Sequence, residues 1–361
     1  MSILIHVGPP KSGTSAIQRW LSFHASELQQ YGYYYPQHES DANGVSSGNL
    51  LALFSYNSEG ELEFDAAKKE RLITDFKKSQ ASVLLLSSEF FFKRITLLAE
   101  QFPTAKFIAY LRFPLEVIES SYNQGVKRHG EVKQLGVSAT PKCFQLNLLE
   151  NQIKKAGKQR FILRPYEKSC FTGGSLVNDF KDILHIPSQS LQTYSTNEVV
   201  NSSYSIDALE LKRWFNQFPL GELQPVLDKL LQAYSADKPG YSLIGAKLFR
   251  TYKNEFVKVL ERFCSAYHVD NSEIFIEQCK ALQQKPIVKQ RLSDEDFESL
   301  IKQLLGSKEL SAFALYKKVT GEWRKVNHIK FPERINLLTS QIAWQTKCKV
   351  RVHNLLEYIK R

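Results

Sequence analysis

The run Ser2 to Val7 (SILIHV) is short, apolar and β-branched, and it breaks off at Gly8-Pro9-Pro10. From Thr14 onward the pattern changes: Ile17, Trp20, Leu21 and Leu28 recur at helical spacing, and the pattern ends near Tyr31-Gly32. A strand without polar alternation needs cover on both faces, and a helix starting right after it is how a chain supplies that cover. The opening therefore commits this region to an α/β layer: strand, glycine loop, helix.

Three further strands are expected at Ala81 to Ser87 (ASVLLLS), Ala105 to Leu111 (AKFIAYL) and Arg160 to Arg164 (RFILR). Pro114 stands where a first helical turn begins, and Val117, Ile118 and Tyr122 are expected on the inner face of that helix. Leu176, Phe180, Ile183 and Leu184 mark the helix after the last strand. From about Pro187 strand signals fade while helical periodicity persists, as in Leu209, Leu211, Trp214 and Phe215, or Phe249, Tyr252, Phe256, Leu260 and Phe263. The 361 residues fit about two domains, or one α/β domain with a large appendage, and the second is expected. The division is an α/β core over residues 1–186 and a mainly helical region over 187–361. The expected fold is a P-loop-like parallel sheet flanked by helices. Residues 40–47 and 193–205 read as polar loops.

No stretch approaches the roughly 18 uninterrupted apolar residues a membrane span needs, and the start lacks the features of a signal peptide. Five cysteines, odd in number and without C-x-x-C spacing, argue against a disulfide framework and a zinc cluster, so a cytoplasmic protein with reduced, mostly packed thiols is expected. The net charge of +11 points to an anionic partner. Between Ser311 and Arg361 eleven Lys or Arg face three acids, so the tail is basic enough for nucleic acid, an anionic membrane surface, a nucleotide or an acidic glycan.

Gly8-Pro9-Pro10-Lys11-Ser12-Gly13-Thr14-Ser15 lies between strand and helix, where backbone N–H groups and the positive dipole end suit a phosphate. The Walker pattern places lysine after its second glycine; here Lys11 comes two residues before Gly13, which weakens a nucleoside triphosphatase reading. The segment Pro10-Lys11-Ser12-Gly13-Thr14-Ser15 resembles instead the P-K-[ST]-G-[ST]-[TS] phosphosulfate loop of sulfotransferases that use 3′-phosphoadenosine 5′-phosphosulfate (PAPS), matching it at every position. A second family motif is an arginine ending a strand with a serine eight residues later, which together hold the 3′-phosphate; here they are Arg112 and Ser120. A third, softer resemblance is Arg164-Pro165-Tyr166-Glu167-Lys168, which implies that Tyr166 lies beside the adenine, the alternative being a tyrosine packed under the sheet edge. The likeness spans roughly residues 2–186; the late R-K-G motif of cytosolic members is not evident.

The resemblance implies that Lys11 is catalytic and that Lys11, Ser12, Gly13, Thr14, Ser15, Arg112, Ser120 and Tyr166 bind PAPS, with no metal. For the base that takes the acceptor's proton, Glu89 after the Ala81 to Ser87 strand stands near where the family places its catalytic His or Glu. The alternatives are that Glu89 caps a helix beginning at Phe90 or pairs with Lys11. His6, His24 and His129 are weaker candidates. Ile17-Gln18, Trp20-Leu21 and the Leu28 to Pro36 segment look like bacterial carbohydrate sulfotransferases, which implies a glycan or glycolipid acceptor, with the helical region 187–361 expected to contribute to binding it. Trp20, Tyr33, Tyr34, Tyr35 and Phe90 are candidates to stack on sugar rings, or else core residues. The basic tail suits peripheral contact with an anionic membrane; nucleic acid is not the expected partner. The competing readings are a P-loop small-molecule kinase and a nucleic-acid-binding protein using the tail.

Overall fold

The computed structural model describes residues 2–38, 46–192, 203–323 and 329–359. In chain order its elements are β1 (Ser2–Gly8), α1 (Thr14–Phe23), β2 (Tyr33–Tyr34), β3 (Phe54–Tyr56), β4 (Leu62–Phe64), α2 (Ala66–Lys78), β5 (Val83–Ser87), α3 (Ile95–Gln101), β6 (Lys106–Leu111), α4 (Pro114–Arg128), α5 (Phe144–Ala156), β7 (Phe161–Pro165) and α6 (Leu176–Ile183). Helices then follow one another: α7 (Ile206–Phe215), α8 (Leu223–Ser235), α9 (Ala246–Ala266), α10 (Ser272–Ala281), α11 (Asp294–Leu305), α12 (Ala312–Trp323), α13 (Glu333–Gln341) and α14 (Trp344–Ile359). The protein is α/β, with a five-stranded parallel sheet flanked by helices and a helical C-terminal half. The four expected strands form β1, β5, β6 and β7. The expected loops at 40–47 and 193–205 fall largely outside the described residues.

Two differences from the sequence pattern are local. The first helix stops at Phe23 instead of running to Tyr31: His24 turns the chain, its ring bonding Glu27 and the carbonyl of Gln192, and a short 3-10 turn covers Glu27–Tyr31. On α4 the fully buried apolar positions are Leu115 and Val126, with Val117, Ile118 and Tyr122 half-buried.

Two compact units divide the chain, and neither is one continuous segment. The first comprises Met1–Val117, Ala139–Thr196 and Phe249–Gln283; the second comprises Ile118–Ser138, Asn197–Leu248 and Gln284–Arg361. The first unit holds the sheet, in the order β2-β5-β1-β6-β7 with every pair parallel. With β5 and β6 on either side of central β1, the strand order reverses there, and the carboxyl ends at such a switch point are where open α/β sheets bind ligands. Ile17, Trp20 and Leu21 of α1 pack with Phe180 and Ile183 of α6 over Leu85, Ile108 and Tyr110 of the sheet. In the second unit α7, α8 and α11 to α14 enclose a core centred on Trp214, whose ring meets Phe215, Phe218 and Phe297.

One sheet residue departs from apolar expectation. His6 is fully buried opposite Ser87 in the β1–β5 register; its Nδ1 lies 2.8 Å from the Ser87 hydroxyl, and its Nε2 has no hydrogen-bond partner. Burial pushes its pKa down to about 3, so His6 is a neutral core residue and not an exchanging base. Because the native pKa lies below the ordinary 6.5, the contribution of His6 to stability is fully present above about pH 6.5 and is lost as pH falls toward 3. Over that window the unfolded chain takes up a proton that native His6 refuses, costing up to about 1.4 kcal/mol per pH unit. Urea midpoints at about pH 7 and about pH 5 check this: the stability of a His6→Leu variant should fall less steeply with acid than the wild type's.

Candidate active site

The carboxyl ends of β1, β5, β6 and β7 carry the loop Gly8 to Ser15, Glu89, Arg112 and Tyr166 respectively, so the parallel topology gathers four stretches separated in sequence. The loop is sharply bent, with φ of +93° at Gly8, +71° at Lys11 and +79° at Gly13, all in the left-handed region. For Lys11, which has a Cβ, that conformation costs roughly 1–2 kcal/mol and needs outside support.

Side-chain donors on three consecutive carbonyls provide it. The Ser12 hydroxyl donates to Pro9 O at 2.5 Å, Gln145 Nε2 of α5 to Pro10 O at 3.1 Å, and Arg112 Nη1 to Lys11 O at 2.9 Å. In a trans peptide the C=O of one residue and the N–H of the next point in opposite directions. Holding the Pro10 and Lys11 carbonyls therefore aims the amides of Lys11 and Ser12 the other way. Gly13 caps α1 without a side-chain hydrogen bond, and the helix's own ladder begins with Ala16 N to Gly13 O at 3.0 Å. First-turn amides with no helical acceptor, at the positive end of the helix dipole, are an arrangement that can cradle an anion.

Tyr166 closes one side. Its backbone N–H bonds Leu111 O, its half-buried ring lies over Gly13, and the Arg112 guanidinium carbon sits 5.3 Å from the ring centroid. Arg112 is thus shared between loop and ring; its Nε is buried without a hydrogen bond, 3.9 Å from a Glu116 carboxylate oxygen. Ser120 lies further along α4, in the part belonging to the second unit, and is half-buried. Arg164 of the same strand-end motif ties the fold instead, meeting Asp179, Asp182 and Asp270 at 3.4, 2.8 and 3.0 Å.

Glu89 follows β5 and is half-buried; its Oε2 accepts from the Thr14 hydroxyl at 3.2 Å, which puts a carboxylate beside the first turn of α1. The 3-10 turn here runs Glu89–Arg94 and is capped by Ser88, whose hydroxyl oxygen accepts from Phe90 N, so Glu89 opens the turn and does not cap it. Ser12 and Thr14 are buried with their hydroxyls engaged in the bonds above, and Ser15 is half-buried. His24 is buried and bonded as described; His129, exposed at the end of α4, donates its backbone N–H to Gly125 O.

Three of the aromatic candidates for sugar stacking are core residues. Trp20, Tyr33 and Tyr35 are buried, and their polar ends bond Leu191 O, Leu184 O and His38. The cause is packing: α1 lays Trp20 onto α6, and β2 extends the sheet so that alternate tyrosines turn inward. Tyr34 is half-buried against Phe76, while Phe90 is exposed.

Two features had no clear signal in the sequence. Gln145 lies more than a hundred residues from the loop it braces. Helix α5 also forms, with α9, a groove of about 710 Å³ lined by Lys142, Phe144, Asn147, Asn151, Phe256 and Arg262, in which Phe144 is two-thirds exposed. Gln18, one turn after Thr14, is buried with Nε2 unpartnered; it lies beside Gly48, where a Cβ would fall 1.8 Å from Ser87 O. Among the described residues no group of three or more His, Cys, Asp or Glu is placed to hold a metal ion. A comparison with known protein families finds no match for the chain, and neither does a search of curated proteins.

Gly13 is irreplaceable for two reasons that can be separated. A Cβ there would lie 2.2 Å from Leu176 Cδ2 and 2.7 Å from the Tyr166 ring, whereas at Gly60, with a similar φ of +77°, it would meet nothing within 4 Å. Gly60→Ala should cost about 1 kcal/mol, and Gly13→Ala on the order of 1–3 kcal/mol more, as read by urea unfolding. Equal losses would mean that neither Leu176 nor Tyr166 rests on the loop.

Proposed function

We propose that the protein is a PAPS-dependent sulfotransferase that transfers a sulfuryl group to a hydroxyl or amine of a carbohydrate acceptor. The observation that carries this reading is the bracing of the Pro9, Pro10 and Lys11 carbonyls, with Arg112 from β6 and Tyr166 after β7 resting on the same loop. A braced amide cradle beside a strand-end arginine suits a nucleotide with phosphate at both its 5′ and 3′ positions. Gly13 fits a group that must come close to backbone, and the loop sequence matches the phosphosulfate pattern throughout.

On this reading the donor's 5′-phosphosulfate sits on the amides of Ser12, Gly13, Thr14 and Ser15. Arg112 takes the 3′-phosphate, with Ser120 its partner in the family pattern, and Tyr166 flanks the base. The acceptor oxygen forms a bond to sulfur while the bond between sulfur and the bridging phosphate oxygen breaks, its electron pair staying on that oxygen. Lys11 stabilises the charge that collects there, and Glu89, steadied by Thr14, takes the acceptor's proton. The products are the sulfated acceptor and 3′,5′-adenosine bisphosphate. As in phosphoryl transfer, positioning and charge stabilisation carry the rate.

The groove between α5 and α9 is our candidate for the acceptor, a cell-surface glycan or its lipid-linked precursor. Phe144 offers a face for a sugar ring, and Lys142 and Arg262 favour acidic substituents; the lining acid Glu255 is already paired with Lys258 at 2.9 Å. The five cysteines are free thiols, three of them buried, and we place the protein in the cytoplasm.

Calorimetry with 3′,5′-adenosine bisphosphate against ATP tests the donor. The bisphosphate should bind roughly 10–100-fold more tightly, the worth of charge-assisted bonds to the 3′-phosphate; tighter ATP binding would favour a kinase. Ser120→Ala should lower affinity for the bisphosphate about five-fold and spare adenosine 5′-phosphosulfate, which lacks the 3′-phosphate. Arg112→Ala should weaken both ligands, because it also releases the Lys11 carbonyl.

For the chemistry, Lys11→Ala should cut kcat by about 100-fold or more while nucleotide affinity falls less. Glu89→Gln should retain nucleotide binding and lose about 100-fold in transfer. Loss of binding together with transfer would reduce Glu89 to a support for Thr14.

A further inference from the structure

We infer that α14 is a docking surface for anionic phospholipid bilayers, an interaction that stands apart from the sulfotransferase reading and does not depend on it. The helix spans 16 residues and carries two different faces. On the inner one Val350 is buried in the core of the second unit; His353 meets Lys317 Nζ of α12 at 2.6 Å, and its ring stands edge-on to Phe313. The outer face holds Trp344, Val352, Leu355, Leu356 and Ile359, each between 53% and 74% exposed. At 100° per residue these five lie within an arc of about 120°, broken by one polar residue, Gln345. Large apolar side chains gathered on one exposed face, instead of scattered singly, mark a surface that something else covers.

The charges choose the occupant. Lys349 and Arg351, both exposed, lie on opposite flanks of the apolar arc, and Lys360 and Arg361 follow in sequence. The one acid of α14, Glu357, is engaged on the inner side with Lys317 at 3.5 Å and His353 at 3.3 Å. A second copy pressed stripe to stripe would bring basic flanks against basic flanks. An anionic bilayer offers what this face lacks: acyl chains for the aliphatic stripe, headgroup phosphates for the cations, and an interfacial layer for the Trp344 indole. No helix among the described residues is long and apolar enough to cross a membrane; here α14 lies along the surface.

The test is co-sedimentation of the full chain with phosphatidylglycerol vesicles or phosphatidylcholine vesicles. The protein should pellet with the first far more than with the second, and less as salt rises. Lys349→Gln combined with Arg351→Gln should weaken the binding about 25-fold, at roughly five-fold per basic residue. Leu355→Ser combined with Leu356→Ser should weaken it by about ten-fold or more. Both pairs are exposed, so circular dichroism and the thermal midpoint should stay at wild-type values, separating lost docking from lost folding. Absence of pelleting with phosphatidylglycerol, equal pelleting with both lipids, or undiminished binding by both variants would each overturn the proposal. So would a wild-type dimer in sedimentation velocity that the leucine variant turns into a monomer, since the stripe would then belong to a second copy.

Discussion

Everything at the carboxyl edge of the sheet depends on the fixing of the peptide planes between Pro9 and Ser12. The bends at Gly8 and Gly13 are open to glycine, but the one at Lys11 is costly, and a loop of that shape standing alone would relax. Ser12, Gln145 and Arg112 each donate to a carbonyl of the loop, so a local element, a distant helix and a neighbouring strand all hold one short stretch. Since a fixed carbonyl also fixes the amide after it, the directions of the Lys11 and Ser12 amides are set by the protein itself.

That arrangement requires a sheet that brings strand ends together accurately. Central β1 pairs with β5 through five aligned positions and with β6 on its other side, so Glu89 and Arg112 emerge flanking the loop. Burial keeps the His6 imidazole neutral against Ser87 inside this sheet, which makes the layer less tolerant of acid than an apolar residue would. The Arg164 contacts with Asp179, Asp182 and Asp270 anchor β7, and with it Tyr166, to α6 and to the connection between α9 and α10.

The helical unit is built on a different principle. Its core around Trp214 is satisfied by α7, α8 and α11 to α13, so α14 needs to contribute little more than Val350 and the His353 contacts. Trp344, Val352, Leu355, Leu356 and Ile359 stay exposed outside that core, which is why their grouping on one face calls for a partner.

The sequence by itself determined the α/β opening, because an apolar β-branched run ended by Gly-Pro-Pro and followed by helical periodicity has few other outcomes. It also located Lys11, Glu89, Arg112 and Tyr166, since residues next to strand ends are carried to one edge once the sheet is parallel. It read the basic tail as a charge surplus. Only the tertiary structure decided that Gln145 braces the loop, that Arg112 is shared between loop and ring, and that Trp20, Tyr33 and Tyr35 belong to the core while Phe144 faces a groove. The reason is physical: local spacing governs which face of its own element a residue occupies. Whether that face meets solvent, a carbonyl or another helix depends on what packs against it from far along the chain.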